Sequence, residues 1–171
     1  MTYKRFEDLP VWKESIKLAH GIFDLTENPD FKISFSLRDQ IERSVMSISD
    51  NIAEGFERGT TRELLAFLYI SRGSAGETRS KLYFMEQRPR LKNFKSEISN
   101  LKSLAESCAR QLRGWAESLQ DSNIEGQRFL NKKTREEDAA RKRADAFRKT
   151  LLSKLPPTHP LVRDARERGF I

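Results

Sequence analysis

The feature that most constrains the fold of this chain is an unbroken apolar seam between residues 94 and 119. Apolar side chains recur there at alternating steps of four and three, over nearly four heptads. The seam consists of Phe94, Ile98, Leu101, Ala105, Cys108, Leu112, Trp115 and Leu119. Such an a/d seam packs helices side by side at a shallow angle. It predicts a long helix whose apolar stripe is part of a helical core.

Two segments before the seam show the same helical period. The first helix is predicted to begin at Pro10, because proline is favoured at the first helical position, and to end near Thr26. Its apolar stripe is Leu9, Trp12, Ile16, Ala19 and Phe23. The second helix is predicted to begin at the capping-box pattern Ser36–Asp39 and to end near Arg58. Its apolar stripe is Leu37, Ile41, Val45, Ile48, Ile52 and Phe56.

A third helix is predicted between a capping box at Thr60–Glu63 and Pro89. The apolar run Leu64–Ile70 by itself could be a buried strand, but the cap before it and the apolar residues after it favour a helix. Four amphipathic helices with short connections predict an all-α fold, an antiparallel up-down four-helix bundle over residues 1–120.

Composition narrows the possible functions. The single cysteine, Cys108, excludes an intramolecular disulfide and a cysteine-based zinc or iron–sulfur site. Only two histidines are present and no phosphate-binding loop or nucleophile motif occurs, so no cofactor, metal site or enzymatic activity is predicted. The longest apolar run has seven residues, whereas a membrane helix needs about 20. Without a signal-peptide pattern, we expect a cytoplasmic protein with no membrane partner.

The positive charge is concentrated after residue 120. Residues 1–120 carry 19 basic and 17 acidic side chains, whereas residues 121–171 carry 13 basic and 8 acidic ones. A fifth helix is predicted from Thr134 to about Lys154, as part of a basic C-terminal extension over residues 121–171. Its thin stripe is Ala140, Ala144, Phe147, Leu151 and Leu155. The last residues, Leu161–Ile171, are expected to be disordered or a docking peptide.

The second and third helices also carry polar and small residues at helical spacing. On the second helix they are Gln40, Ser44, Ser47, Asn51 and Glu54; on the third they are Ser71, Gly73, Ser74, Ala75, Gly76, Glu77 and Thr78. One interpretation is a buried hydrogen-bonded network at a helix–helix or subunit contact, since glycine within a helix suggests close backbone approach. The other is a solvated face. A di-iron site with Glu54 and Glu77 is a distant third, because these helices carry no histidine.

Two groups of basic residues are candidates for binding phosphates or a partner. The first lies on and after the third helix and comprises Arg72, Arg79, Lys81, Arg88, Arg90, Lys92 and Lys95. The second lies in the C-terminal extension and comprises Lys132, Lys133, Arg135, Arg141, Lys142, Arg143, Arg148 and Lys149. Because no aromatic ladder is seen among them, we expect contacts with phosphates rather than stacked bases. The alternative is a solvated helix face held by Glu-to-Lys/Arg pairs.

Four motifs carry a resemblance to a known family. They are Phe6–Trp12, Leu37–Gln40, Ser47–Phe56 and Ser71–Glu77. Together they resemble the "four helix bundle protein" family over about residues 5–119. That family includes proteins encoded in ribosomal-RNA intervening sequences and the accessory variability determinant (Avd) of diversity-generating retroelements.

The resemblance implies several properties of this chain. It implies a ring-like homopentamer, and for the Avd branch the binding of a reverse transcriptase and of nucleic acid during mutagenic copying of RNA into cDNA. The shared motif residues, which would mark the fold and the subunit contact, are Ser47, Asn51, Glu54, Gly55, Gly73, Ser74 and Glu77.

Two functional hypotheses follow. The first is a non-enzymatic accessory protein resembling Avd, which binds a reverse transcriptase and RNA or cDNA through basic surfaces of a homo-oligomeric ring. The alternative is an oligomeric scaffold of the ribosomal-RNA intervening-sequence type that has no retroelement role.

Overall fold

The structure, a computed structural model, describes residues 3–121, 132–156 and 159–167, except for the side chains of residues 132–139, 141, 142 and 167. The chain divides into two compact units, Met1–Arg128 and Phe129–Ile171, which we call the bundle unit and the C-terminal unit. Each unit is described by itself.

The bundle unit consists of four long helices in sequential contact. They are α1 (Pro10–Glu27), α2 (Phe35–Glu57), α3 (Thr61–Glu86) and α4 (Lys95–Gln120), with 3₁₀ turns at Phe6–Asp8 and Pro89–Phe94. Each helix packs against the next, and α4 packs back against α1. Short connections between neighbours give an antiparallel up-down arrangement. The predicted all-α helical bundle is therefore confirmed.

The core draws on all four helices and includes most of the stripes predicted for α2 and α4. On α2, Ile41, Val45, Ile48, Ile52 and Phe56 are buried. On α4, Ile98, Leu101, Ala105, Cys108 and Leu112 are buried, and Phe94, Trp115 and Leu119 pack against them from the edge. The apolar seam over residues 94–119 is thus the α4 side of the core.

The stripe predicted for α1 is wrong in phase. Leu9 and Ala19 are buried as predicted, but Trp12, Ile16 and Phe23 are only half-buried. The other α1 residues that enter the core are Val11, Ser15, Leu18, Ile22 and Leu25. Ser15 misled the prediction because it is polar but fully buried. Its hydroxyl donates a hydrogen bond to the Trp12 carbonyl at 2.7 Å, which removes the cost of burying it.

The helix caps agree with the sequence in one case and differ in the other. Thr60 caps α3 as predicted: its hydroxyl oxygen accepts from the Glu63 amide at 3.2 Å and lies 2.7 Å from the Glu63 carboxylate. The α2 cap is Ser34, two residues before the predicted Ser36, and it accepts from the Leu37 amide at 3.3 Å. Ser34 and Ser36 offer the same side chain, so the pattern alone did not distinguish them.

The C-terminal unit contains α5 (Lys132–Ser153) and α6 (Pro160–Glu167). Leu152 of α5 and Val162 and Ala165 of α6 are buried together, with Leu155 against them. The segment Leu161–Ile171, expected to be disordered or a docking peptide, is therefore ordered as a helix that packs on α5 in the part that is described. A proline at the first helical position starts α6.

The stripe predicted for α5 is also wrong. Ala140, Ala144, Phe147 and Leu151 are exposed, and only Leu155 of that stripe takes part in the small cluster. Leu152, one position away from the predicted stripe, is the α5 residue that becomes buried.

The helices α2 and α3 approach each other closely at Gly55. A Cβ atom on Gly55 would lie 2.6 Å from the Phe67 Cβ and 3.3 Å from the Leu64 Cδ1. The Phe67 Cβ is fixed to the α3 backbone, so the two helices would have to separate to admit a side chain. By contrast, a Cβ on Gly76 of α3 would meet no heavy atom within 4 Å.

These two glycines give a matched test of the packing. We expect Gly55→Ala to lower the free energy of unfolding by about 1–3 kcal/mol, because overpacking outweighs the gain in helix propensity. Gly76→Ala should raise it by up to about 1 kcal/mol, since alanine is the better helix former and the space is open. Urea denaturation at one fixed protein concentration measures both values. Stabilisation by both substitutions would show that the helices are not in close contact at Gly55.

Candidate interfaces on helix α3

A hydrogen-bonded network of small polar residues joins α2 to α3. The Thr78 hydroxyl donates to the Ser44 hydroxyl at 3.0 Å, and the Ser47 and Ser74 hydroxyls are 2.9 Å apart. Ser71 donates to the Ile48 carbonyl of α2 at 2.8 Å. Most of the polar stripe on these helices thus lies between them and is internally satisfied.

Asn51 lies at the outer edge of this network. Its amide donates to the Ser47 carbonyl at 2.6 Å and to the Ser47 hydroxyl at 2.9 Å. The two carboxylates of the predicted motif face outward instead: Glu54 pairs with Arg58 at 2.6 Å, and Glu77 pairs with Lys81. The structure therefore does not bring Glu54 and Glu77 together as a paired acid site.

The surface outside this network contains an exposed apolar side chain and a glycine, which has no side chain. We call it the α2–α3 surface and define it by Asn51, Glu54, Ile70, Gly73 and Glu77. The Ile70 side chain is 51% exposed, and a Cβ on Gly73 would meet no atom within 4 Å. Gly73 therefore does not serve a close approach among the residues that the structure describes, and the space in front of it is open to another molecule.

Four cations of the α3–α4 connection form an exposed group that we call the basic loop. They are Arg88, Arg90, Lys92 and Lys95, and among the described residues none of them forms an ion pair. The Arg88 guanidinium lies 5.5 Å from the centre of the Phe84 ring. No carboxylate in the described part of the chain therefore compensates the positive charge of the basic loop.

Other arginines of the bundle unit are neutralised along their own helices. The pairs four residues apart are Arg38–Glu42, Arg43–Asp39, Arg58–Glu54, Arg110–Glu106 and Arg113–Glu117. Lys81, predicted to bind a partner, belongs with them, because it pairs with Glu77 and its side chain is only 11% exposed. It is a poor candidate for contact with phosphate.

A second group of cations lies on the α4-facing flank of α3. Tyr69, Arg72, Gly76, Arg79 and Tyr83 follow one another at steps of three and four, which places them on one flank. The Arg72 guanidinium lies 5.3 Å from the centre of the Tyr69 ring, and the Lys102 ammonium of α4 lies 4.1 Å from that of Tyr83. We call these five residues the tyrosine–arginine strip. The expectation that no aromatic residues interleave with the cations is wrong here.

The predicted basic residues of the C-terminal unit are only partly accounted for. Arg143, Arg148 and Lys149 are exposed on α5. The side chains of Lys132, Lys133, Arg135, Arg141 and Lys142 lie outside the described residues.

The groups most often used in catalysis are placed as follows. His20 is exposed on α1, and Cys108 is buried in the core. Burial, with a smaller contribution from the Glu14 charge, raises the pKa of Cys108 to about 12. Within the described part of the chain, no three His, Cys, Asp or Glu residues are grouped so as to hold a metal ion. Nor does a helix there combine the length and apolarity needed to cross a membrane.

These features define a helical bundle with outward-facing contact surfaces. Residues 7–114 match the family described as "23S rRNA-intervening sequence protein", and the chain belongs to that family. The family suggested by the sequence motifs is confirmed.

A solved structure has a similar fold. It is that of a protein with unknown function from the S23 ribosomal protein family of Bacteroides thetaiotaomicron. It is 18% identical with a TM-score of 0.53, covering 63% of this chain and 98% of that one. No curated protein matches this chain closely enough to count as a relative.

The buried thiol provides a test of the core. Because Cys108 is buried and its pKa is raised to about 12, we expect iodoacetamide at pH 8 to label it only when the bundle opens. Labelling followed by mass spectrometry should therefore be much slower in buffer than in concentrated urea. Equal rates in the two conditions would show that Cys108 is accessible in the native protein.

Proposed function

We propose that the protein is a non-enzymatic nucleic-acid-binding accessory protein that acts as a homo-oligomer. The observation that carries the proposal is the basic loop, in which four exposed cations have no ion pair among the described residues. The family's description, which refers to an intervening sequence of ribosomal RNA, supports an RNA-related role.

The basic loop suits contact with a phosphate backbone. Each Lys or Arg that neutralises a phosphate releases a condensed counterion, which makes the affinity fall steeply with salt. Cations already paired with a carboxylate gain less, since binding must first break that pair. Free charges at residues 88–95 are therefore better placed for this purpose than the paired arginines of α2 and α4.

The C-terminal extension over residues 121–171 would add to the same electrostatic attraction. Residues 121–171 carry a net charge of +5 against +2 for residues 1–120. A basic segment raises the local concentration of a polyanion and its rate of association.

The α2–α3 surface is our proposed contact between copies of the chain. Gly73 leaves open space beside the exposed Ile70, so a second chain could approach the α3 backbone closely. In the pentamer that the family resemblance implies, the ring would carry five copies of the basic loop, one from each chain. A modest monomer charge would then become a strong local field.

The partner that we propose is a reverse transcriptase with its RNA or cDNA, in support of mutagenic reverse transcription. The resemblance to Avd motivates this partner. A scaffold role is the alternative, and the exposed Phe147, Leu151 and Leu161 of the C-terminal unit favour it, because exposed apolar side chains suit contact with another protein. Co-purification from the native host with identification by mass spectrometry distinguishes a polymerase from other proteins.

The basic loop can be tested by salt titration. We expect the protein with Arg88, Arg90, Lys92 and Lys95 all changed to Gln to bind a mixed-sequence RNA more weakly. The slope of log affinity against log salt should become shallower by roughly 0.7–0.9 for each phosphate that the variant no longer neutralises.

The matched control removes positive charges that are already paired. Changing Arg38, Arg43, Arg110 and Arg113 to Gln removes the same number of charges and should alter the slope much less, because each is neutralised by a carboxylate on its own helix. Absence of RNA and DNA binding by the unaltered protein at low salt would contradict the proposed function. Equal effects of the two sets would contradict the assignment to the basic loop.

The subunit contact can be tested at Gly73. We expect Gly73→Gln to lower the oligomeric mass measured by light scattering, because the added side chain fills the space into which a second copy would pack. Gly114→Gln is the control, since Gly114 of α4 also has no atom within 4 Å of a built Cβ. An unchanged mass for Gly73→Gln would place the contact elsewhere, and a monomeric unaltered protein would exclude it.

A further inference from the structure

We infer that the tyrosine–arginine strip of α3 is a platform for single-stranded nucleic acid, on which bases stack against Tyr69 and Tyr83. This inference rests on the proposed function and adds to it a binding surface, a mode of contact and a class of ligand. It concerns a flank of α3 that neither the basic loop nor the α2–α3 surface includes.

Most of the strip faces away from α2. Ser74 and Thr78 turn toward α2, where they bond to Ser47 and Ser44. Tyr83 turns to the other side, because the Lys102 ammonium of α4 lies over its ring. The strip and the α2–α3 surface therefore lie on neighbouring faces of α3, which adjoin where Tyr69 and Gly73 are four residues apart.

The two tyrosine rings of the strip are accessible. Tyr69 is 40% exposed and Tyr83 is 50% exposed, although aromatic rings of this size can pack in a hydrophobic core. A cation lies against each ring and restricts its orientation. Lys102 is paired with Glu86 and its side chain is only 15% exposed, so the positive charge of the strip that is unpaired among the described residues is that of Arg72 and Arg79. An oriented, half-exposed ring with a neighbouring cation suits a base on the ring and its phosphate near the charge.

The strip also carries uncompensated positive charge. Among the described residues, Arg72 and Arg79 form no ion pair, in contrast to the arginines of α2 and α4. They are one helical turn on from Tyr69 and one turn before Tyr83, respectively. The strip thus places two cations between two rings, and cations with aromatic rings are the combination that proteins use to hold a single strand without sequence preference.

The middle of the strip leaves room for a strand. A Cβ on Gly76 would meet no heavy atom within 4 Å, so a backbone could pass close to the helix there. Tyr69 and Tyr83 are separated by about 21 Å of helix axis at the usual rise of about 1.5 Å per residue. That distance is about six base steps of roughly 3.4 Å, so Tyr69 and Tyr83 would stack on two bases that are about six nucleotides apart in the same strand.

Charge and stacking also favour a single strand over other ligands. In a duplex the faces of the bases are stacked on one another, so the rings would find none to contact. A second copy of this chain packing the same strip against itself would bring like charges together, which is unfavourable. A single strand offers both free base faces and negative charge.

The test uses the full-length protein and fluorescently labelled strands of about 20 nucleotides and mixed sequence, long enough to span both rings. The strands are single-stranded RNA, DNA of the same sequence, the RNA duplex, and an abasic strand with the same phosphates. We expect the unaltered protein to bind both single strands more tightly than the duplex or the abasic strand. Tyr69→Ala and Tyr83→Ala should each weaken single-strand binding by roughly five- to 150-fold, the cost typical of losing a stacked base.

The control variants keep the ring or remove a different one. Tyr69→Phe and Tyr83→Phe should retain most of the affinity, because the ring is preserved. Phe35→Ala should have no effect, since Phe35 is 84% exposed at the start of α2 and lies outside the strip. Circular dichroism and light scattering on every variant report its helix content and its oligomeric mass.

The outcomes separate this inference from the proposed function. If the unaltered protein binds no strand, the proposed function fails and the platform fails with it. If it binds all strands equally, including the abasic one, phosphate contact stands and the stacking platform is overturned; this comparison does not depend on any variant folding. If the alanine variants change the oligomeric mass, the strip is a subunit contact and the inference is likewise overturned.

Discussion

The close packing of α2 against α3 is the constraint on which the rest of the bundle surface depends. Because Gly55 has no side chain, α3 can approach α2 closely there: a Cβ atom on Gly55 would lie only 2.6 Å from the Phe67 Cβ. The Ser and Thr hydroxyls of the two helices are hydrogen-bonded directly to each other across this contact. Small residues therefore fix both the separation of the two helices and the rotation of α3 about its axis. Once that rotation is set, one flank of α3 faces outward beside α2 and the other beside α4.

This rotation separates residues that are neighbours in sequence into surfaces of different character. Ile70, four residues before Ser74, falls on the side of α2, whereas Tyr83 and Arg72 fall on the side of α4. Tyr69 and Gly73, four residues apart, lie on the outward face between the two sides. The α2–α3 surface is partly apolar, as a contact between proteins requires, and the tyrosine–arginine strip combines cations with aromatic rings. The division explains how one helix could serve both assembly and the binding of a polyanion.

The sequence predicted the parts of this arrangement that follow from a regular period. The seams of α2 and α4 are unambiguous because every position at the core spacing is apolar. The predicted phase of the α1 stripe was wrong because a buried polar residue, Ser15, interrupts the apolar residues that face the core. The Ser15 hydroxyl is hydrogen-bonded within the helix. The helix α6 was missed because its apolar content is small and its partner, Leu152, was not part of the stripe predicted for α5.

The site was harder to predict, because pairing and rotation are properties of the folded chain. In the sequence, Lys81 and Arg72 are both simply basic residues. Only the structure shows that Lys81 is ion-paired with Glu77 and that the Arg72 guanidinium lies over the Tyr69 ring. Photocrosslinking of the full-length protein to 4-thiouridine RNA, followed by peptide mass spectrometry, tests most directly whether α3 binds nucleic acid. We expect crosslinks in the α3 segment that contains Tyr69 and Tyr83 and in the basic loop. Crosslinks confined to α1 and α2, or none at all, would contradict this role of α3.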